Sequence, residues 1–223
     1  MAERVQVERS QDGTDNLFEA IYSQRAIRRF KPDPVPDEVL LAILEAATKA
    51  PSGSNTQAWA FLIVQDAEKR AAMAGFLRSA FEGDAEFQER FAKVDEIEDP
   101  SQRRMLQGAR GLLLALDKAP VLLVPCLHHA ESPAPQGLLA GSSIYGAIQN
   151  LQLAARAHGL GTVLTTFQRS FEVELRDLLG IPDEARPVAL IPLGYPDGWF
   201  GPTNRNPIES VVHWDAWGNQ PGG

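Results

Sequence analysis

The sequence has little cysteine, little basic charge and no long apolar run, and each shortage excludes a class of protein. Cys126 is the single cysteine in 223 residues, so neither an internal disulfide nor a cysteine-based zinc site can form, and a reducing compartment is expected. The 21 lysines and arginines are outnumbered by 29 aspartates and glutamates. The resulting net charge of −8 argues against a dedicated nucleic-acid binder.

No segment has the length and apolarity of a membrane span. The most apolar region, residues 105–127, is interrupted by Arg110, Asp117, Lys118 and Pro120, whereas a span needs about 20 apolar residues. The first residues are polar and lack the apolar core of a signal peptide. We therefore expect a cytoplasmic protein that binds no membrane.

Length and composition predict one globular domain. Hydrophobic residues make up 44% of the chain, which is too apolar for disorder. Helical patterns alternate with short apolar runs and no long linker divides them, so the residues indicate an α/β or α+β domain. We expect a flexible arm over residues 1–14, the domain over residues 15–217 and a tail over residues 218–223.

Hydrophobic periodicity predicts the secondary structure. Helices are expected in five stretches: residues 16–22, 36–50, 67–92, 142–157 and 171–179. Strands are expected in four: residues 59–64, 121–127, 162–165 and 188–193. Asp15 would cap the first helix, and Leu17, Phe18 and Ile21 would form its apolar stripe. Pro125 places the second strand at an edge or an end of the sheet.

Three polar segments are candidates for a binding site. Arg25 and Arg28 project from a similar side, and guanidinium groups favour phosphate, although a solvated basic turn has the same pattern. Arg205, after the last strand, could return to the same anion. Residues 51–57 form a polar connection between a helix and a strand. Its side chains and backbone could bind a flat heterocycle, or the segment could be an ordinary connecting turn.

Other features give no site. Cys126 lies in an apolar strand and is expected to pack there rather than act as a nucleophile. His128 and His129 are adjacent and have no further ligands at metal-binding spacing, so no metal site is expected. Neither the dinucleotide-binding glycine motif nor a P-loop is present. The helical residues 67–118 are the least strand-like part and are expected to form a lid over the sheet.

Five segments in this order resemble the FMN-dependent nitroreductase family: QRAIRRF, APSGSNTQAW, AIQNLQLAARAHGLGT, IPLGYP with the Arg205-Asn206-Pro207 turn, and VVHW. The resemblance runs from about Ile21 to Trp214. It implies an α+β fold with a mixed central sheet sandwiched between helices and a helical excursion over the active site. It also implies a homodimer that binds FMN at the subunit interface.

The resemblance also implies the residues of the site. Those expected to bind the cofactor are Arg25, Ala26, Arg28, Pro51, Ser52, Gly53, Ser54, Asn55, Gln57, Thr165, Thr166 and Arg205. The three arginines would hold the FMN phosphate, residues 51–57 would come from the partner subunit, and Thr165 and Thr166 would present backbone groups to the flavin. The sequence departs from the family pattern at Ala26, Ala58, Thr203 and the Thr165-Thr166 pair.

The implied activity is an oxidoreductase in which NADPH or NADH passes a hydride to flavin N5 and then leaves. An electron-poor small molecule (nitroaromatic, quinone or activated alkene) then takes its place and is reduced. No protein acid or base is required, so no catalytic side chain is assigned. Four phenylalanines are expected to bind the acceptor, a core role being the alternative for each: Phe81, Phe87, Phe91 and Phe167.

Other functions on the same scaffold stay open. One is a reductive dehalogenase resembling iodotyrosine deiodinase. Another is an oxygenase resembling the flavin-consuming enzyme that makes the lower ligand of cobalamin. A third would act on a deazaflavin or a specialised metabolite. A protein that binds flavin without turnover is the alternative from a different class.

Overall fold

The structure is a computed structural model that describes residues 10–128 and 138–220. Most of the expected N-terminal arm, residues 129–137 with His129, and residues 221–223 of the tail lie outside the described residues. The end of the arm, residues 10–14, is bonded to the domain: Ser10 pairs with Phe200, and the Thr14 N–H donates to the carbonyl of Ala157.

Helices and strands alternate along the chain. The helices are α1 (Leu17–Ser23), α2 (Asp37–Thr48), α3 (Ala67–Glu82), α4 (Ala85–Ala92), α5 (Pro100–Leu114), α6 (Leu138–Ala157) and α7 (Glu172–Leu179). The strands are β1 (Trp59–Val64), β2 (Val121–His128), β3 (Gly161–Thr162), β4 (Ala185–Pro187) and β5 (Ile191–Gly194).

The five strands form one sheet in the order β1-β2-β5-β3, with β4 also paired to β2. All four strand pairings are antiparallel; β1 and β2, for example, pair from Trp59 opposite Leu127 to Val64 opposite Leu122. A parallel bridge between Ala26 and Thr162 makes the sheet mixed. The fold is therefore α+β.

Pro125 lies in an interior strand, so the prediction of an edge or an end was wrong. On one side of β2 the pairing with β5 ends at Leu123 and the pairing with β4 begins at Cys126. Pro125 falls in the gap between them, where its carbonyl accepts the N–H of Val188 at 3.0 Å. A missing N–H costs little in such a gap.

Helices cover both faces of the sheet. On one face, α2 and α6 pack against β2 and β5, and four apolar residues of α6 are buried there: Ile144, Ile148, Leu151 and Ala155. On the other face, α3, α5 and α7 enclose a second cluster that includes Met73, Leu77, Leu112 and Leu122. The helical excursion at residues 67–118 therefore exists, and it also supplies part of the core.

The first helix differs from the prediction at its cap. Asn16, not Asp15, caps it, with its side-chain oxygen accepting the N–H of Glu19 at 3.1 Å. The predicted apolar stripe is exposed: Leu17, Phe18 and Ile21. The buried residues of this helix are Ala20 and Ser23.

The last strands are shorter than predicted. β3 ends at Thr162, and Thr165 makes only an isolated bridge to Leu190. The expected strand at residues 188–193 is β5, and it begins at Ile191. The preceding β4 was missed because three residues containing an arginine and a proline make no apolar run.

Gly161 is expected to be intolerant of a side chain. A Cβ there would lie 2.7 Å from Cβ and Cγ2 of Ile27, whose N–H donates to the Thr162 carbonyl at 3.0 Å. Gly161→Ala should therefore lower the free energy of unfolding by about 1–3 kcal/mol in urea denaturation. The matched control is Gly75→Ala in α3, where a Cβ meets nothing within 4 Å. We expect it to be neutral or stabilising by up to about 1 kcal/mol, and equal losses in both variants would contradict the packing argument.

Candidate functional site

A cavity of about 620 Å³ lies between the segment after α1, one face of α5 and the segment after β5. Its lining residues are Arg25, Ala26, Ile27, Arg28, Arg29, Arg104, Gln107, Gly108, Gly111, Asp197, Gly198, Trp199 and Phe200. It contains three of the residues predicted to bind a cofactor: Arg25, Ala26 and Arg28. We refer to it as the arginine cavity.

The sheet holds the arginine segment in place. Ala26 bridges Thr162 in the parallel sense, and the N–H of Ile27 donates to the Thr162 carbonyl at 3.0 Å. The Ile27 side chain is buried and would meet any Cβ at Gly161. The backbone between Arg25 and Arg28 is therefore fixed, although the two charges repel each other.

Most of the positive charge of this segment has no carboxylate partner within the described part of the chain. Arg28 is half-buried, and burial and the neighbouring Arg25 both lower the pKa of its guanidinium. Asp197, the single acid of the lining, lies 3.8 Å from Arg29. Among the described residues no carboxylate forms a salt bridge with Arg25 or Arg28. An anion entering the cavity would relieve both effects, and guanidinium groups suit phosphate or carboxylate best.

The α5 wall of the cavity was missed at the level of sequence. A Cβ on Gly108 would lie 3.2 Å from Cδ of Arg28, so the glycine lets the arginine rest against the helix. Arg104 and Gln107 lie on the same face. The available signal was a glycine inside a helical pattern, which costs about 1 kcal/mol relative to alanine and calls for a packing reason.

The polar loop after α2 has an unusual backbone. Ser54, Asn55 and Gln57 have φ angles of 51°, 54° and 50°, in the left-handed region that non-glycine residues rarely adopt. The N–H of Gln57 donates to Ser52 Oγ, and the N–H of Gly53 donates to Ser143 Oγ on α6, both at 3.0 Å.

Pro51, Gly53, Ser54, Asn55 and Gln57 are all exposed, and Ser52 is half-buried. None of the predicted loop residues lines the arginine cavity of the same chain.

The predicted threonine pair divides into one bonded and one available backbone group. The N–H of Thr165 donates to the Leu190 carbonyl and its carbonyl accepts the N–H of Leu190, both at 3.0 Å. The Thr165 hydroxyl also donates to the Leu190 carbonyl, at 2.8 Å. The N–H of Thr166 makes no hydrogen bond within the described part of the chain. Thr166 is also exposed, so its N–H can donate to a ligand.

Arg205 is not brought to the other two arginines within one chain. It is exposed, its Nη1 donates to the adjacent Asn204 carbonyl at 2.8 Å, and it is not among the residues lining the arginine cavity. Its predicted meeting with Arg25 and Arg28 therefore requires another chain.

The predicted acceptor-binding phenylalanines mostly contact one another. The ring centroids of Phe81, Phe87 and Phe91 lie 4.9–5.7 Å apart in edge-to-face pairs. Phe81 and Phe91 line a second cavity, between α4 and α5, and none of the three lines the arginine cavity. Phe167 follows Thr166 and packs partly against the core.

The remaining polar candidates show no reactive arrangement. Burial raises the pKa of the Cys126 thiol to about 12, so it is protonated at neutral pH. Within residues 10–128 and 138–220, no three His, Cys, Asp or Glu side chains converge as metal ligands. No helix in those ranges is both long and apolar enough to cross a membrane.

Residues 21–195 match the sequence profile of the Nitroreductase family. The chain belongs to this family. A Thermus thermophilus relative named NADH dehydrogenase is 34% identical over 210 residues, covering 87% of this chain and 94% of the relative. Iodotyrosine deiodinase of Thermotoga neapolitana is 33% identical over 209 residues, covering 88% of this chain and 95% of that protein.

Solved structures of the Nitroreductase family share the fold. An iodotyrosine deiodinase bound to FMN and 3-iodo-L-tyrosine superposes with a TM-score of 0.67, is 27% identical and covers 91% of this chain and all of its own. The NADPH:FMN oxidoreductase of Vibrio harveyi, complexed with NAD+, also gives a TM-score of 0.67. It is 25% identical and covers 91% of this chain and 78% of its own.

We expect Cys126 to be unreactive in the folded protein. The raised pKa leaves almost no thiolate at pH 8, and the side chain is fully buried. A chromogenic disulfide reagent should therefore modify no thiol at pH 8 in buffer and one thiol per chain in denaturant. Rapid modification of the folded protein would contradict the packing role.

Proposed function

We propose that this chain is an FMN-dependent oxidoreductase that uses NADH or NADPH to reduce an electron-poor small molecule. The observation that carries the proposal is the arginine cavity, in which Arg25 and Arg28 form no salt bridge within residues 10–128 and 138–220. Two observations support it further: the exposed Thr166 N–H, and the names of relatives that use flavin and nicotinamide nucleotides.

The residues present fit the phosphate end of FMN. Arg25 and Arg28 would bind the phosphate, which carries nearly two negative charges, and Arg205 of a second copy would complete the site. Gly108 leaves room for the Arg28 side chain beside the helix. The polar loop at residues 51–57 would contact the flavin ring from the second copy.

When bound, FMN would supply hydride exchange: it would accept a hydride from the nicotinamide nucleotide and pass it to the acceptor. The protein would bind and orient the cofactor and tune the electron density of its ring. The Thr166 N–H would donate a hydrogen bond to the ring and stabilise added electron density. Phe167, next in sequence, would border the acceptor, while Phe81, Phe87 and Phe91 would support the neighbouring wall. No side chain is assigned as an acid or a base.

We infer a homodimer from exposed apolar surface and from the separated site residues. Leu17, Phe18 and Ile21 on α1 are 45–62% exposed. The segment after β5 also exposes Ile208, Val211, Trp214 and Trp217. Large exposed apolar patches mark interaction surfaces, and a second copy would bring residues 51–57 and Arg205 to the arginine cavity.

A reductive dehalogenase is the second candidate function. The observation that favours it is the 33% identity to the Thermotoga neapolitana iodotyrosine deiodinase across nearly the whole length of both chains. Both functions use the same cofactor site and differ in the acceptor, so an acceptor screen separates them.

Removing the guanidinium of Arg28 or of Arg205 should weaken the binding of FMN more than that of riboflavin, because only FMN carries the phosphate. For Arg28→Gln and Arg205→Gln, we expect a loss of about 1–3 kcal/mol in FMN binding, measured by quenching of flavin fluorescence. Riboflavin affinity should change little. Arg110→Gln is the control, because Arg110 forms an ion pair with Asp95 at 3.9 Å and does not line the arginine cavity. Equal losses for both flavins would refute the phosphate assignment.

Redox turnover tests the enzyme itself. Anaerobic protein loaded with FMN should lose its yellow colour on addition of NADH or NADPH and regain it with a quinone or nitroaromatic. Recovery with 3-iodotyrosine, with release of iodide, would favour the dehalogenase instead. Protein that binds FMN but is reduced by neither nucleotide would leave only the binding function, and protein that cannot be loaded with FMN would overturn the proposal.

A further inference from the structure

The side chain of Arg156, one residue before the end of α6, is buried and has no role in the proposed chemistry. Only 1% of it is exposed. Its Nε donates to Ser23 Oγ at 2.8 Å, its Nη1 to the main-chain carbonyl of Asp12 at 2.6 Å, and its Nη2 to Glu19 Oε1 at 3.2 Å. A buried cation is tolerated only when it is paired and bonded in this way.

Phe200 provides the fourth contact of this guanidinium. Cζ of Arg156 lies 4.2 Å from the centroid of the Phe200 ring, which is within cation–π distance. Phe200 is itself buried and lines the arginine cavity. Arg156 therefore packs directly behind one wall of that cavity.

Residues 10–12 connect the same wall to Arg156 a second time. The N–H of Phe200 donates to the Ser10 carbonyl, and Gln11 Nε2 donates to the Gly198 carbonyl, both at 2.8 Å. Because Arg156 holds the carbonyl of Asp12, it secures the segment on which this wall rests.

Ser23 connects Arg156 to the opposite wall. It is the last residue of α1 and lies two residues before Arg25, and it is fully buried. One planar guanidinium thus bonds to or stacks on two of the three chain segments that enclose the arginine cavity. These two segments are also joined directly, by the Asp197 N–H that donates to the Arg29 carbonyl at 3.0 Å. Their separation sets the width of the cavity that Arg25 and Arg28, both on the first segment, help to line.

We propose that Arg156 is a positioning residue for the phosphate site, acting through Ser23, Asp12 and Phe200 to hold the two walls of the arginine cavity at binding distance. The identity of the anion as a phosphate rests on the proposed function. The role of Arg156 in spacing the two walls does not rest on it, because that role follows from contacts within this chain.

Two simpler roles must be separated from positioning. Arg156 could contribute only stability, or only a positive charge near the anion. A lysine keeps the charge, but its single nitrogen cannot reproduce the planar fork. Arg156→Lys therefore separates charge from position, while Arg156→Gln removes both.

Arg176 on α7 offers a matched control for stability. Its Nε and Nη2 donate to Glu172 Oε1 at 3.2 and 3.1 Å, and its Nη1 donates to the Pro182 carbonyl at 3.1 Å. It is mostly buried, at 23% exposure, and does not line the arginine cavity. Lysine and glutamine variants at Arg176 disturb a similar set of bonds elsewhere in the fold.

The experiment combines flavin binding with hydrogen exchange. Dissociation constants of FMN and riboflavin are measured for the four variants, and amide exchange is measured on flavin-free protein. We expect both Arg156 variants to raise the FMN constant about tenfold, as for other supporting residues of a site, and to change the riboflavin constant less than about twofold. Exchange should accelerate at the amides of Ile27, Asp197 and Phe200, whereas the Arg176 variants should leave those amides and the FMN preference unchanged.

Each other outcome decides against positioning. Wild-type FMN affinity in Arg156→Lys would assign a charge effect, and an equal loss of preference in the Arg176 variants would assign general stability. If Arg156→Gln does not fold, Phe200→Leu removes the stacked ring while keeping an apolar wall, and an unchanged FMN preference would overturn the inference. A wild-type protein without FMN preference would refute the proposed function, and exchange at the three amides would still decide whether Arg156 holds the walls.

Discussion

The candidate site depends on one electrostatic constraint, because Arg25 and Arg28 are held in one cavity although their charges repel each other. Like charges separate unless the backbone prevents it, and here the backbone is fixed by the Thr162 pairing and by Ile27 lying against Gly161. Gly108 then admits the Arg28 side chain beside α5. The sheet and α5 thus hold an electrostatically unfavourable arrangement that an anion would make favourable.

The same residue type is used in the opposite way at Arg156. Its charge is buried, but each of its three nitrogens donates a hydrogen bond, to Ser23, the Asp12 carbonyl and Glu19. Burial lowers the pKa of Arg156, while the Glu19 carboxylate acts in the opposite direction. The hydrogen-bonded Arg156 lies behind the cavity wall at Phe200 and holds its neighbours in place. Arg25 and Arg28 line the cavity in front of that wall, where they would bind an anion.

Local patterns predicted the elements whose burial is periodic. β1 matches its apolar run at both ends, and Gly180 ends α7 in the left-handed conformation that glycine favours. The wrong predictions have a different cause. The position of the strand that contains Pro125 and the existence of β4 both depend on which strands become neighbours in the sheet. No local sequence pattern predicts that β2 changes its pairing partner from β5 to β4 beside a proline.

The site was predictable to the extent that its residues cluster in sequence. Arg25 and Arg28 do, and the structure places both in one cavity. Arg104 and Phe200 reach that cavity from distant segments that carry no motif, so only packing identifies them. The proposal that this cavity binds a flavin depends on the family match, because composition alone did not indicate it.

The backbone of residues 51–57 gives an independent reason to require another chain at this site. Non-glycine residues in the left-handed region cost about 1–3 kcal/mol each and persist only where surrounding contacts determine them. Two hydroxyl contacts, from Ser52 and Ser143, and short-range backbone bonds such as that from the Asn55 N–H to the Ser52 carbonyl hold the loop, and most of its residues are exposed. So much strain on an exposed surface is most simply explained if the loop is built to meet a ligand or a second subunit. The proposed homodimer supplies both at the arginine cavity, and the strain then becomes part of a preformed binding surface.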